Sequence, residues 1–165
     1  DRIDHVVVID SVPGSRDPLR GDDSALAVID AIESMPRTFA SKSGFIEALV
    51  ATGKTPALVQ WLAQSVEKQG GRVRFMLDLH EVRALILDYF ERDLWPVVEH
   101  PPGATRVHLV IGDRSDSYSP ADRERAARIS LSSDRVTVDV LPAGHWVHVD
   151  NPDGLLRKLL DYVDG

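Results

Sequence analysis

Val136-Thr137-Val138-Asp139-Val140-Leu141, followed by Pro142-Ala143-Gly144-His145-Trp146-Val147-His148, decides how the chain is read. The first six residues are Val-rich and stop at Leu141-Pro142, which reads as a short strand. A turn containing Gly144 then carries His145 off the strand's carboxyl end. In doubly wound α/β sheets, ligands collect at that end of the strands. Histidine titrates near neutral pH, so a ring presented there can accept a proton and hand it back. The competing reading of His145 is a ring satisfied by backbone hydrogen bonds.

Two further segments resemble this strand, Asp4 to Asp10 and Arg106 to Gly112. Both are short, rich in Val, Ile or Leu, and end at Asp or Gly, and the first is apolar on both faces, as parallel strands buried under helices are. Helical patterns separate the three. Ser24 is expected to cap a helix over 25–32. Pro56 to Glu67 repeats apolar residues at helical spacing before Gly70-Gly71, read as a helix end. Leu79 to Val98 predicts a longer helix with Val82, Leu85, Ile86, Tyr89 and Phe90 on one face, kinked or shortened by Pro96. Pro120 and Pro152 open two more helices, to about Ile129 and through Val163. Alternation of this kind implies a parallel sheet covered by helices. Residues 11–105 are too many for one crossover helix, so an extra helical subdomain is expected there.

Composition bounds the function. At 43% hydrophobic and 27% charged, the chain reads as one ordinary globular domain of 165 residues. A net charge of −7 with no basic cluster argues against nucleic acid. The absence of cysteine excludes disulfides and thiolate metal sites. No apolar run reaches the ~20 residues of a membrane span. The chain begins at Asp1, not Met, a few residues before an apolar strand, so residues are expected upstream of it. The first strand would otherwise leave a bare apolar edge.

Gly144-His145-Trp146-Val147-His148, with Asn151-Pro152 and the last helix, resembles the histidine loop of α/β-hydrolases. Asp1-Arg2-Ile3-Asp4, leading to Val8-Ile9-Asp10-Ser11-Val12-Pro13, resembles one part of that superfamily: the small esterase group that includes abhydrolase domain-containing protein eleven and its fungal and bacterial relatives. Arg114-Ser115 with Tyr118 fits the same group. The resemblance covers nearly all of this chain but only the second half of the family's domain. It implies an α/β fold, the C-terminal half of an α/β-hydrolase: three parallel strands, flanking helices and a helical cap insertion at about 37–98, with the N-terminal half absent.

The family's chain order is nucleophile, acid, histidine. The resemblance makes His145 the general base. It offers Asp10, at the end of the first strand, as the acid, and Asp116 as the alternative, with Asp10 preferred. Trp146 is expected at the substrate pocket. No serine here sits in a G-x-S-x-G elbow, so the nucleophile is expected upstream and this chain alone is expected to be inactive. The implied substrate is a small acyl ester, without cofactor or metal. The implied setting is intracellular, mitochondrial or bacterial cytosolic. Two other readings stand beside this one. The chain is a non-catalytic scaffold or partner of a larger enzyme complex, since folds are reused for binding. Or it is a separated half whose first strand pairs with a partner or with the missing N-terminal half.

The remaining motifs are weaker. Gly53-Lys54-Thr55 lacks the upstream glycine of a phosphate loop, because Ala48 stands there. His145, His148 and Asp150 do not make a convincing metal set when His145 has another role. His80-Glu81 has no second histidine at zincin spacing. Asp113 reads as a capping or solvated residue, and Trp61, Phe75, Phe90 and Trp95 as core.

Overall fold

The computed structural model describes residues 3–16 and 25–164, so the expected cap at Ser24 lies outside the described residues. In chain order the elements are β1 (His5–Ile9), α1 (Ala25–Glu33), α2 (Lys42–Ala51), α3 (Pro56–Leu62), a 3-10 turn (Ala63–Ser65), β2 (Val66–Gln69), β3 (Arg72–Phe75), α4 (Leu79–Glu91), α5 (Trp95–Glu99), β4 (Arg106–Gly112), α6 (Pro120–Ser132), β5 (Val136–Leu141), α7 (Val147–Asp150) and α8 (Pro152–Asp164). The chain divides into two compact units, Asp1–Ser15 with Arg92–Gly165, and Arg16–Glu91.

The first unit is built on a parallel sheet in the order β1-β4-β5. His5 lies beside Arg106 and Ile9 beside Val110, while Val107 lies beside Val136 and Gly112 beside Leu141. The three expected strands are therefore present and neighbours. Side chains alternate along a strand, so β4 feeds two cores. Val107, Leu109 and Ile111 pack with Trp95, Tyr118, Ala126, Ile129 and Val136. Val110 faces the other way, onto Leu141, Ala143, Val147, Leu155 and Tyr162. Helix α6 starts where Pro120 placed it and is fixed by a reciprocal cap. The Asp122 N–H donates to Ser119 Oγ (3.2 Å), and the Ser119 N–H donates to Asp122 Oδ2 (3.2 Å).

In the second unit and at its end the structure corrects two expectations. The helix expected over Pro56 to Glu67 stops at Leu62, and β2 and β3 then form an antiparallel hairpin. Its turn is Gly70-Gly71, with φ of 58° and 81°, left-handed values that open a two-residue hairpin turn as readily as they end a helix. The insertion is thus not wholly helical. The long helix expected over Leu79 to Val98 is two. Helix α4 ends at Glu91, and α5 begins at Trp95, whose N–H is held by Asp93 Oδ1 at 3.0 Å. Pro96 lies in the first turn of α5, where its missing N–H costs nothing, and kinks no helix. On α4, Leu85 is exposed, not part of a buried face. The unit's own core gathers Val28, Ile32, Phe45, Leu49, Val59, Leu62 and Ala63.

A polar stack ties α8 to the sheet. His108 is buried, lies 3.9 Å from the Tyr162 ring centroid and stacks on His5. Its Nε2 is 3.0 Å from His5 Nδ1 and its Nδ1 is 2.7 Å from Thr137 Oγ1. The Tyr162 hydroxyl donates to Asp139 Oδ2 (2.6 Å), and Lys158 pairs with Asp139 Oδ1 (2.6 Å). Burial, then the nearby His5 and Arg106, pull the His108 pKa below its ordinary 6.5, against an opposing pull from Asp139. The unfolded chain therefore binds this proton more readily than the folded one. The stability that neutral His108 contributes is complete above pH 6.5 and is lost as pH falls from there toward the lowered folded value. Urea midpoints should fall between pH 8 and pH 5.5, and His108→Phe should flatten that dependence.

Candidate active site

The site is built where β1 and β4 end. Asp10 follows β1 with φ 46°, a left-handed backbone at a non-glycine residue, which aspartate tolerates better than most. Its own N–H still donates to Val110 O (2.7 Å), so the turn occurs at the last ladder bond. The side chain is fully buried. Oδ1 accepts the Gly112 N–H (2.9 Å). Oδ2 accepts the Ser115 hydroxyl (2.5 Å) and His145 Nδ1 (2.8 Å). Burial alone raises the carboxyl's pKa. The bonds from His145, Ser115, Gly112 and Ser117 together outweigh it and hold the group below its ordinary 3.8. Asp10 is thus a stable buried anion.

His145 sits on the turn between β5 and α7, with its side chain 58% exposed. Nδ1 is 2.8 Å from Asp10 Oδ2 and 2.9 Å from Ser117 Oγ. An ionised carboxylate only accepts, so Nδ1 carries the proton and Nε2 carries the lone pair. Among the described residues no side chain is hydrogen-bonded to Nε2. The ring thus has its Nδ1 side anchored and its Nε2 side open.

The turn carrying His145 is tied to the end of β4. Arg114 N–H donates to Ala143 O (3.0 Å), Ala143 N–H to Asp113 Oδ1 (2.9 Å), and Gly144 N–H to Asp150 Oδ2 (2.6 Å). Asp113 is therefore a turn-capping residue. Arg123, on α6, donates to both Gly112 O (2.9 Å) and Ser115 O (2.8 Å). The Tyr118 hydroxyl reaches Ser11 O (2.9 Å), joining this loop to the one after β1. Gly112 lets the two loops touch: a Cβ there would lie 2.4 Å from Gly144 O and 2.7 Å from Ala143 O.

Of the two acids considered, Asp10 is brought to His145, while Asp116 is exposed and makes no hydrogen bond to it. Trp146 is 40% exposed and meets the His145 and His148 rings edge-on, at 5.9 and 5.7 Å. His145, His148 and Asp150 do not converge: His145 binds Asp10, and Asp150 binds the Gly144 N–H. Ser117, Gly112 and Arg123 were not singled out from the sequence. The signal available was Ser115-Asp116-Ser117-Tyr118-Ser119, a hydroxyl-rich run directly after a strand end.

No protein-family model matches the chain, and no curated protein sequence matches it. Solved structures do. The chain is similar to a marine microorganism esterase at 19% identity and TM-score 0.77, covering 98% of this chain and 61% of that one. It is similar to E-2-(acetamidomethylene)succinate hydrolase at 20% identity and TM-score 0.60, covering 98% and 57%. It also resembles a peroxisomal alpha-beta-hydrolase from Saccharomyces cerevisiae at 16% identity and TM-score 0.54, covering 96% and 45%. The chain thus spans about three fifths or less of the length of these structures. A three-stranded parallel sheet with flanking helices, superposing on those proteins over nearly its whole length, gives this chain part of the α/β-hydrolase fold.

Proposed function

We propose that this chain is the C-terminal part of a serine hydrolase acting on ester bonds, and that it supplies the general base His145 and its acid Asp10. The observation that carries this reading is the buried Asp10 carboxylate held on His145 Nδ1, with Nε2 left open. A serine from residues outside this chain would attack the ester carbonyl while His145 Nε2 takes its proton. The imidazolium so formed is stabilised by Asp10 and returns the proton to the leaving alcohol. Water then enters by the same route: Nε2 takes its proton, the acyl bond to serine breaks, and the serine recovers its hydrogen. Ser115 and the Gly112 N–H keep Asp10 ionised for this task. Trp146, beside the ring, is assigned to the substrate pocket.

The motif resemblance to the small esterase group supports an intracellular setting, mitochondrial or bacterial cytosolic. No described helix is long and apolar enough to cross a membrane. The test is hydrolysis of a short p-nitrophenyl ester by a longer protein carrying these residues together with its upstream segment. Turnover is expected. A folded protein without turnover would favour the second reading, a non-catalytic scaffold or partner of a larger enzyme complex. That reading draws on the lack of a G-x-S-x-G elbow in these residues.

A further inference from the structure

The second unit contains a cavity of about 690 Å³ lined only by its own residues, between Ile32 and His80. That volume lies within the range of small-molecule sites. Its floor is aromatic. Phe45 is fully buried, meets Phe39 edge-on at 5.4 Å and stacks on Phe75 at 5.9 Å. Met35 and Leu77 extend the apolar lining, and Leu77 is 48% exposed.

The lining carries two carboxylates, Glu33 and Asp78, against two guanidiniums, Arg37 and Arg74, and the two kinds differ in how they are engaged. Both carboxylates of the lining are already engaged. Glu33 Oε2 is 2.6 Å from Arg83. Asp78 Oδ1 accepts the backbone N–H groups of His80 (3.0 Å) and Glu81 (3.2 Å) at the start of α4. Among the described residues neither lining arginine is in an ion pair, although Glu67 lies across the hairpin from Arg74. Arg74 meets the neutral Gln69 Oε1 (3.1 Å), and Arg37 has no ion pair or hydrogen bond among the described residues. Next to the lining, Arg72 is likewise spent on a neutral partner, Thr38 Oγ1, at 2.8 Å. An aromatic floor rewards an apolar chain, and an uncompensated guanidinium rewards a planar anion that can take two of its N–H groups.

We infer that this cavity binds a carboxylate with an apolar tail, its head on Arg37 and its chain over the partly buried rings of Phe39 and Phe75. The site does not depend on the hydrolase reading, and it can be assayed in this chain without any turnover. The experiment is calorimetric titration of the full chain with decanoate, with decanol and acetate as probes lacking the charge or the tail. Decanoate should bind saturably at one site. Decanol, acetate and the Arg37→Gln variant with decanoate should each bind about tenfold more weakly or worse, the size expected for one lost charge-assisted contact. Leu77→Glu, an exposed position that should leave folding intact, sets a like charge in the cavity and should abolish binding. Equal binding of decanol and decanoate, undiminished binding in Arg37→Gln or Leu77→Glu, or no saturable binding to folded wild-type chain would each overturn the proposal.

Discussion

His145→Ala, made in the longer protein, should lower ester turnover by about four to six orders of magnitude. The substitution removes the ring whose donor nitrogen is fixed by the buried Asp10 carboxylate, and with it the acceptor that would take the nucleophile's proton. What remains is binding and whatever oxyanion stabilisation the upstream residues supply. Folding should not suffer, because the ring is more than half exposed and its loop is held by backbone bonds to Asp113 and Asp150. Turnover measured beside a urea midpoint separates the two effects. A midpoint near wild type with activity lost is the expected pattern. Activity retained within tenfold would remove His145 from the chemistry.

Gly112→Ala should damage both stability and activity. The added carbon would meet the carbonyl oxygens of Gly144 and Ala143 at 2.4 and 2.7 Å, and these are backbone atoms that cannot rotate away. Either β4 or the turn carrying His145 must move. Gly112 is also bonded at both ends, its N–H to Asp10 and its carbonyl to Arg123, so a shift there reaches the acid as well as the base. Overpacking of this kind costs about 1–3 kcal/mol, and the upper end applies because the contact is backbone on backbone. A displacement of about 1 Å at the pair should cost about a hundredfold in turnover. Urea unfolding of the chain reads the first effect and ester turnover of the longer protein the second. A wild-type midpoint would show that the two loops are not in contact.

The legible part of this structure was the part in which sequence pattern and fold share a cause. β4 was legible because its buried residues Val107 to Ile111 serve two cores at once, and β1 and β5 because each is a short Val-rich run that stops at Asp10 or Pro142. The pairing of Asp10 with His145 was legible through motifs at two strand ends, although they lie far apart in the chain. The hairpin Val66–Phe75 was not, because Gly70-Gly71 carries two signals with the same chemistry: left-handed φ closes a helix and also turns a hairpin. Nor was the break after Glu91, where Asp93 starts a second helix under apolar spacing that runs on. Ser117 and Arg123 were hidden for another reason. Their roles depend on which backbone atoms a loop brings near, and spacing along the chain does not encode that. Of the two acids offered, the motif around Asp10 already favoured it over Asp116, and Asp10 is the one hydrogen-bonded to His145.

The measurement that bears most directly on the account is turnover of a short p-nitrophenyl ester by the longer protein carrying Asp10→Asn, beside the same protein carrying Asp116→Asn. An amide at residue 10 keeps the shape of the buried side chain but removes its charge and can present a donor to His145 Nδ1. The expected result is a loss of about ten-thousandfold for Asp10→Asn, with Asp116→Asn close to wild type. Full activity in a folded Asp10→Asn protein, or a larger loss for Asp116→Asn, would contradict the assignment of Asp10 and His145 as the working pair.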